Sequence, residues 1–145
     1  MSDLNALLTD TTRPTVVAEL TQLADRTVAN QSGLTGMALK SAVGAAKKAD
    51  GEAVSKGINK FLPQLVEELT PFWNDYNSAE SAGFGNFLAS RETELSDRIL
   101  AVGDSLSGQG PAAIQKVYSA LRGKLSSIIG PTLPELGDII ERNAR

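Results

Sequence analysis

The side chains that could do chemistry in this sequence are few and narrow in type. The chain contains no histidine and no cysteine. Most zinc sites, and the Ser-His and Cys-His pairs of nucleophilic catalysis, depend on imidazole or thiolate. What remains is carboxylate, amine, hydroxyl and aromatic chemistry. The carboxylates group at Glu67-Glu68 and at Glu92, Glu94 and Asp97. A general acid/base pair needs two such groups facing one cavity with separated pKa values. Adjacent residues on a helix point in different directions, so these acids read as solvated helix charge. A carboxylate-only magnesium or calcium site stays chemically available, but a di-iron bundle would add Glu-x-x-His ligands that this chain lacks. The sequence therefore assigns no catalytic residue, no cofactor and no metal ligand, and the expectation is a non-enzyme.

Two other groups carry a binding reading. Six of the seven aromatic residues fall in one stretch: Phe61, Phe72, Trp73, Tyr76, Phe84 and Phe87. They read either as core or as the lining of a cleft for an apolar ligand or a partner helix. The second group is a basic face of Lys40, Lys47 and Lys48. Residues 31–60 carry five lysines against Asp50 and Glu52, while residues 111–130 carry Lys116, Arg122 and Lys124 with no acid. Such a run reads first as a solvated face neutralising acidic neighbours. Nucleic-acid binding is the lesser reading, because the aromatics that would stack on bases lie elsewhere. Gly83-Phe84-Gly85 follows no strand and lacks the rest of a dinucleotide fingerprint.

These residues must be held by helices. No stretch alternates in the manner of a strand, and apolar residues recur three and four apart throughout. Leu4, Leu7 and Leu8 suggest a short opening helix. A first main helix has Thr12 as cap, Pro14 in its first turn, and a stripe of Val16, Val17, Leu20, Leu23, Ala24 and Val28. A second, from about Leu34 to Ala49, is rich in alanine and glycine and reads as a tightly packed central helix. A third carries Val54, Ile58, Phe61, Leu62, Leu65, Val66 and Leu69, and Pro63 inside it predicts a kink or two helices meeting end to end. Thr70-Pro71 reads as a fresh cap opening the connection between halves. One long helix is expected from Phe84 to about Leu106. Two more follow, near Pro111 to Ile129 and near Leu133 to Arg142, separated by Gly130-Pro131.

The second half echoes the first. Aligning Glu19-Leu20 with Glu94-Leu95 also brings Ser32-Gly33 onto Ser107-Gly108 and Ala38-Leu39 onto Ala113-Ile114. After a short gap, Ile58, Leu62-Pro63, Leu65 and Leu69 meet Ile129, Leu133-Pro134, Leu136 and Ile140. Phe61 meets Thr132, which breaks the likeness. Self-similarity at a fixed period points to a repeated supersecondary unit. The expected fold is all-α: one domain over 1–145, a six-to-seven-helix bundle built from two tandem three-helix units, about 12–72 and 84–143, related by a pseudo-twofold. At 145 residues, with 41% hydrophobic and 21% charged residues and a net charge of −3, the chain can bury one shared core and has no global pull toward polyanions. The start shows no basic region followed by an apolar run, so no signal peptide is read, and the expected location is cytoplasmic.

The stretch Gln31-Ser-Gly-Leu-Thr-Gly-Met-Ala-Leu-Lys40, with Leu62-Pro63 and Pro71-Phe72-Trp73, resembles a small family of actinobacterial proteins of unknown function. The resemblance extends over most of the chain. It implies a cytoplasmic helical protein and supplies no activity, cofactor or site residue. The function expected is therefore protein–protein interaction, with self-association as one form. The alternatives are carriage or sensing of an apolar or fatty-acyl ligand near Trp73 and, last, a weak nucleic-acid contact.

Overall fold

The computed structural model describes residues 4–49, 51–78, 83–108 and 112–144. Among these residues the chain forms seven α-helices and two short 3-10 helices, with no strand. A 3-10 helix at Leu4–Leu8 precedes α1 (Arg13–Ala29), α2 (Gly33–Ala49) and α3 (Ala53–Ser78). Then follow α4 (Phe84–Ser90), α5 (Glu92–Ser107) and α6 (Ala112–Ile129). A 3-10 turn at Gly130–Thr132 leads into α7 (Leu133–Ala144).

The core lies between α3 and α7. Along α3, Leu62, Leu65, Val66, Leu69, Phe72 and Trp73 are buried, which is one face at helical spacing. Leu133, Leu136, Ile139 and Ile140 form the matching face of α7. Val16 and Leu20 of α1, Phe84, Phe87 and Leu88 of α4, Leu95 of α5, and Leu4 and Leu7 of the opening 3-10 helix close it. Each such side chain contributes about 1.5–3 kcal/mol when fully withdrawn from water. Thr12 occupies the cap position of α1, but its hydroxyl makes no capping bond.

Three expectations are corrected. First, α3 runs unbroken for 26 residues through both Pro63 and Pro71, so of the two outcomes expected at Pro63 the meeting of two helices does not occur, and Thr70 caps no new helix. Pro63 cannot donate to the carbonyl of Asn59 one turn earlier. The Arg13 guanidinium supplies that donor, 2.8 Å from the Asn59 carbonyl oxygen, while its Nε donates to Asn59 Oδ1 at 2.6 Å.

Second, the stretch expected as one helix from Phe84 to Leu106 is divided at Arg91, whose backbone (φ −113°, ψ 27°) ends α4 and begins α5. The division lets α4 lie on α7 while α5 turns away to pack on α3 and α6. Arg91 spans the corner, with its guanidinium 5.1 Å from the Phe87 ring centre and 3.5 Å from the Asp75 carboxylate.

Third, α2 is not central. Of its residues with described side chains, only Gly36 is buried. Alanine and glycine there let helices approach, but they also leave little apolar area to bury. α2 therefore stays on the outside, touching α1, α3 and α6.

Candidate functional site

Between the two halves of the chain is an open cleft of about 260 Å³. α1 lines it with Leu20, Leu23, Ala24, Thr27 and Val28, and α3 with Ile58, Phe61 and Leu65. Ile99 of α5, Ile128 and Ile129 of α6, Thr132 of the 3-10 turn and Leu136 of α7 complete the wall. Three elements expected from the pattern alone thus meet here: the apolar stripe of α1, the stripe of α3 from Ile58 to Leu65, and Ile129 and Thr132, which flank the Gly130-Pro131 junction. The stripe of α1 is only partly used by the core. Val16 and Leu20 are buried, whereas Leu23, Ala24 and Val28 are half-buried because they face the cleft.

The cleft presents no titratable group. Its two hydroxyls are turned inward to their own backbone: Thr27 donates to the Leu23 carbonyl at 2.7 Å, and Thr132 to that of Ile129 at 2.6 Å. The surface left for a visitor is methyl, methylene and one aromatic ring. Such a wall recognises by apolar contact and shape, and it offers nothing to polarise or deprotonate a substrate. Arg26 of α1 and Glu135 of α7 form an ion pair beside the lining residues Thr27 and Leu136, and Arg142 pairs with Glu19 on the same two helices. Burial raises the Glu19 pKa, but hydrogen bonds from Arg142 and Asn143 outweigh it and hold the carboxyl below its usual range.

The aromatic residues separate into two sets. Phe61 alone lines the cleft. Phe72, Trp73, Phe84 and Phe87 are buried, and Tyr76 is half-buried. Trp73 meets Phe84 edge-on at 4.9 Å between centroids, and Tyr76 lies 5.3 Å from Phe84 and 5.7 Å from both Trp73 and Phe87. The Tyr76 hydroxyl donates to Glu141 at 2.6 Å, and the same carboxylate accepts from the Phe84 backbone N–H at 3.3 Å, satisfying the first turn of α4. Phe72 packs under the Arg98 guanidinium at 5.6 Å. This cluster is closed core, so the cleft is not at Trp73.

The basic and acidic candidates are scattered by comparison. Lys40, Lys47 and Lys48 are exposed on α2, and Lys47 pairs with Asp25 of α1 at 3.2 Å. Glu68 pairs with Arg98 at 3.2 Å, and Glu94 lies 3.8 Å from Arg91 and 3.9 Å from Arg98. Among the described residues, no group of three acids is placed to hold a metal ion. A second linked set joins α5 to α6. Arg122 clasps Asp104 through two hydrogen bonds at 2.7 and 2.8 Å, and the Tyr118 hydroxyl lies 2.8 Å from Asp104 Oδ1 and 3.1 Å from the Leu100 carbonyl oxygen. Hydrogen bonds from Arg122 and then Tyr118 lower the Asp104 pKa to about 2. Burial, then Asp104, pushes the Tyr118 phenol up to about 12. Neither exchanges a proton near neutrality, so the trio acts as a strut.

A model of a family of unknown function, DUF6918, matches residues 4–144. The chain belongs to the DUF6918 family. The match takes in every residue that lines the cleft, so the cleft lies wholly inside the family's span. No curated protein and no solved structure matches the chain.

Most of the lining residues bear no chemical mark that singles them out in the sequence, although the echo holds a signal for them. Ile58 and Ile129, Phe61 and Thr132, and Leu65 and Leu136 are aligned pairs, and both members of each pair line the cleft. Ala24 and Ile99 align as well and do the same.

Proposed function

We propose that this DUF6918 protein is a non-catalytic binding protein whose cleft takes a single apolar group, with a fatty-acyl chain as the ligand class. The supporting observation is the cleft wall itself, open to solvent yet without an unpaired polar group or a charge. Its volume of about 260 Å³ lies just below the roughly 300–1,000 Å³ common for small-molecule sites, which suits a medium-length chain rather than a bulky ring system. Native mass spectrometry of the purified protein, with and without added decanoic acid, tests this. A one-to-one adduct that disappears in Ala24→Trp, which plugs the cleft, is the expected result. No adduct, or one that survives the plug, rejects it.

Protein–protein interaction through the same cleft is the second reading, favoured by its openness: apolar side chains from one face of a partner helix, or of a second copy, could anchor there. Light scattering separates self-association from the monomeric carrier.

We also read the chain as two tandem units, about 12–72 and 84–143. Aligned positions are buried alike at Leu20 and Leu95, Leu62 and Leu133, Leu65 and Leu136, and Leu69 and Ile140. The packing is partly reciprocal, since α1 lies on α7 and α5 on α3. Superposing the two units in an experimental structure tests the duplication.

A further inference from the structure

The exposed surface of α2 has a character of its own. Leu34 is 85% exposed and Met37 is 68% exposed, and they are the large hydrophobic side chains most open to water among the described residues. Leu39, Ala42, Val43 and Ala46 are half-buried against the bundle, so Leu34, Met37, Ser41 and Lys48 form an outward ridge at helical spacing. α2 carries Lys40, Lys47 and Lys48 and no carboxylate. α6, which touches it, carries Lys116, Arg122 and Lys124 and likewise no carboxylate. Two adjacent outer helices are thus purely cationic in a chain whose net charge is −3. Lys47 and Arg122 are tied inward to Asp25 and Asp104. Lys40, Lys48, Lys116 and Lys124 are exposed and form no ion pair with any described residue.

We propose that this α2–α6 face docks the protein on an anionic lipid bilayer. Leu34 and Met37 enter the boundary between headgroups and acyl chains, and Lys40, Lys48, Lys116 and Lys124 lie against the lipid phosphates. The charge decides among occupants. A second copy would set lysine against lysine. A nucleic acid would use the lysines but leave Leu34 and Met37 in water, with no exposed aromatic for base stacking. An anionic bilayer uses both features: shallow insertion of apolar side chains beside lysines whose stems cover the interface while their ammonium groups reach phosphate. α2 stays anchored to the bundle by its inner face, so docking needs no unfolding and no membrane-spanning helix. The inference does not depend on the cleft or its ligand.

Flotation of the full chain with vesicles tests it. One set is pure phosphatidylcholine, and the other contains an equal part of phosphatidylglycerol. The protein is expected to float with the phosphatidylglycerol vesicles alone and to be released as salt rises. Each lysine removed, in Lys40→Gln, Lys48→Gln, Lys116→Gln or Lys124→Gln, lowers the partition roughly fivefold. Leu34→Ser with Met37→Ser abolishes flotation at moderate salt without altering the far-ultraviolet circular dichroism, since both side chains are exposed in the folded state. Failure to float, equal flotation with both vesicle types, or full retention by the quadruple lysine variant overturns the proposal. Capture of duplex DNA or RNA, or salt-sensitive dimerisation, in place of vesicle binding overturns it equally.

Discussion

Gly85 on α4 and Gly137 on α7 face each other at the point where the two helices cross. A β-carbon on Gly137 would meet the Phe84 carbonyl carbon at 2.8 Å, and one on Gly85 would meet Asp138 Oδ1 at 2.7 Å. Neither distance is tolerated, and at Gly137 the obstacle is backbone, which cannot rotate away. Gly137→Ala and Gly85→Ala are therefore expected to destabilise by about 2 kcal/mol or more, read as a lower urea midpoint. Gly57 and Gly123 stand in helices where an added β-carbon would meet nothing within 4 Å. Gly57→Ala and Gly123→Ala should raise stability by about 0.5–1 kcal/mol. Equal effects at the two kinds of site would contradict the close crossing.

The bond from Arg13 to the Asn59 carbonyl stands in for the donor that Pro63 lacks. Arg13→Ala should cost about 1 kcal/mol. Pro63→Ala returns a backbone N–H to the same acceptor, so the cost of Arg13→Ala should shrink in that background. A double-mutant cycle reads this directly, and strict additivity would show that the two sites are uncoupled.

Asp104 provides a test in acid. Its folded pKa, about 2, is below the ordinary 3.8, so its contribution to stability is complete above the unfolded value and fades as pH falls from there toward 2. Carboxyl carbon shifts of Asp104 followed by NMR should titrate with a midpoint near 2. In Arg122→Gln the midpoint should rise toward the ordinary value. A wild-type midpoint near 3.8 would mean that the clasp does not form in solution.

Truncation distinguishes the two aromatic sets. Trp73 is 1% exposed and ringed by Tyr76 and Phe84, so Trp73→Ala should cost about 3–5 kcal/mol. Phe61 is half-buried at the cleft, where water already reaches, and Phe61→Ala should cost clearly less while weakening uptake of an apolar ligand. Thermal melts and ligand titrations of both variants measure this, and the reverse order of stabilities would move the functional aromatic to the core cluster.

The sequence by itself determined the helical class, because apolar spacing of three and four is a local property that each segment carries alone. It also determined several helix ends, through Thr12 with Pro14 and through Gly130-Pro131, and it narrowed the chemistry by omitting imidazole and thiol. It did not decide what lies next to what. The alanines of α2 signalled close packing, yet close packing occurs at Gly85 and Gly137, because a small residue permits approach but only an opposing helix makes use of it. Pro63 signalled a kink or a break, yet α3 continues through it, and Arg13, distant in sequence, supplies the missing donor. Arg91 gave no local breaking signal, yet the helix divides there so that Phe84 and Phe87 can reach α7. The clustered aromatics were legible as a group, but whether they enclosed a void or one another depended on tertiary contacts. The cleft belongs to that same level: it exists only where α1, α3, α5, α6 and α7 converge, and no single segment contains it.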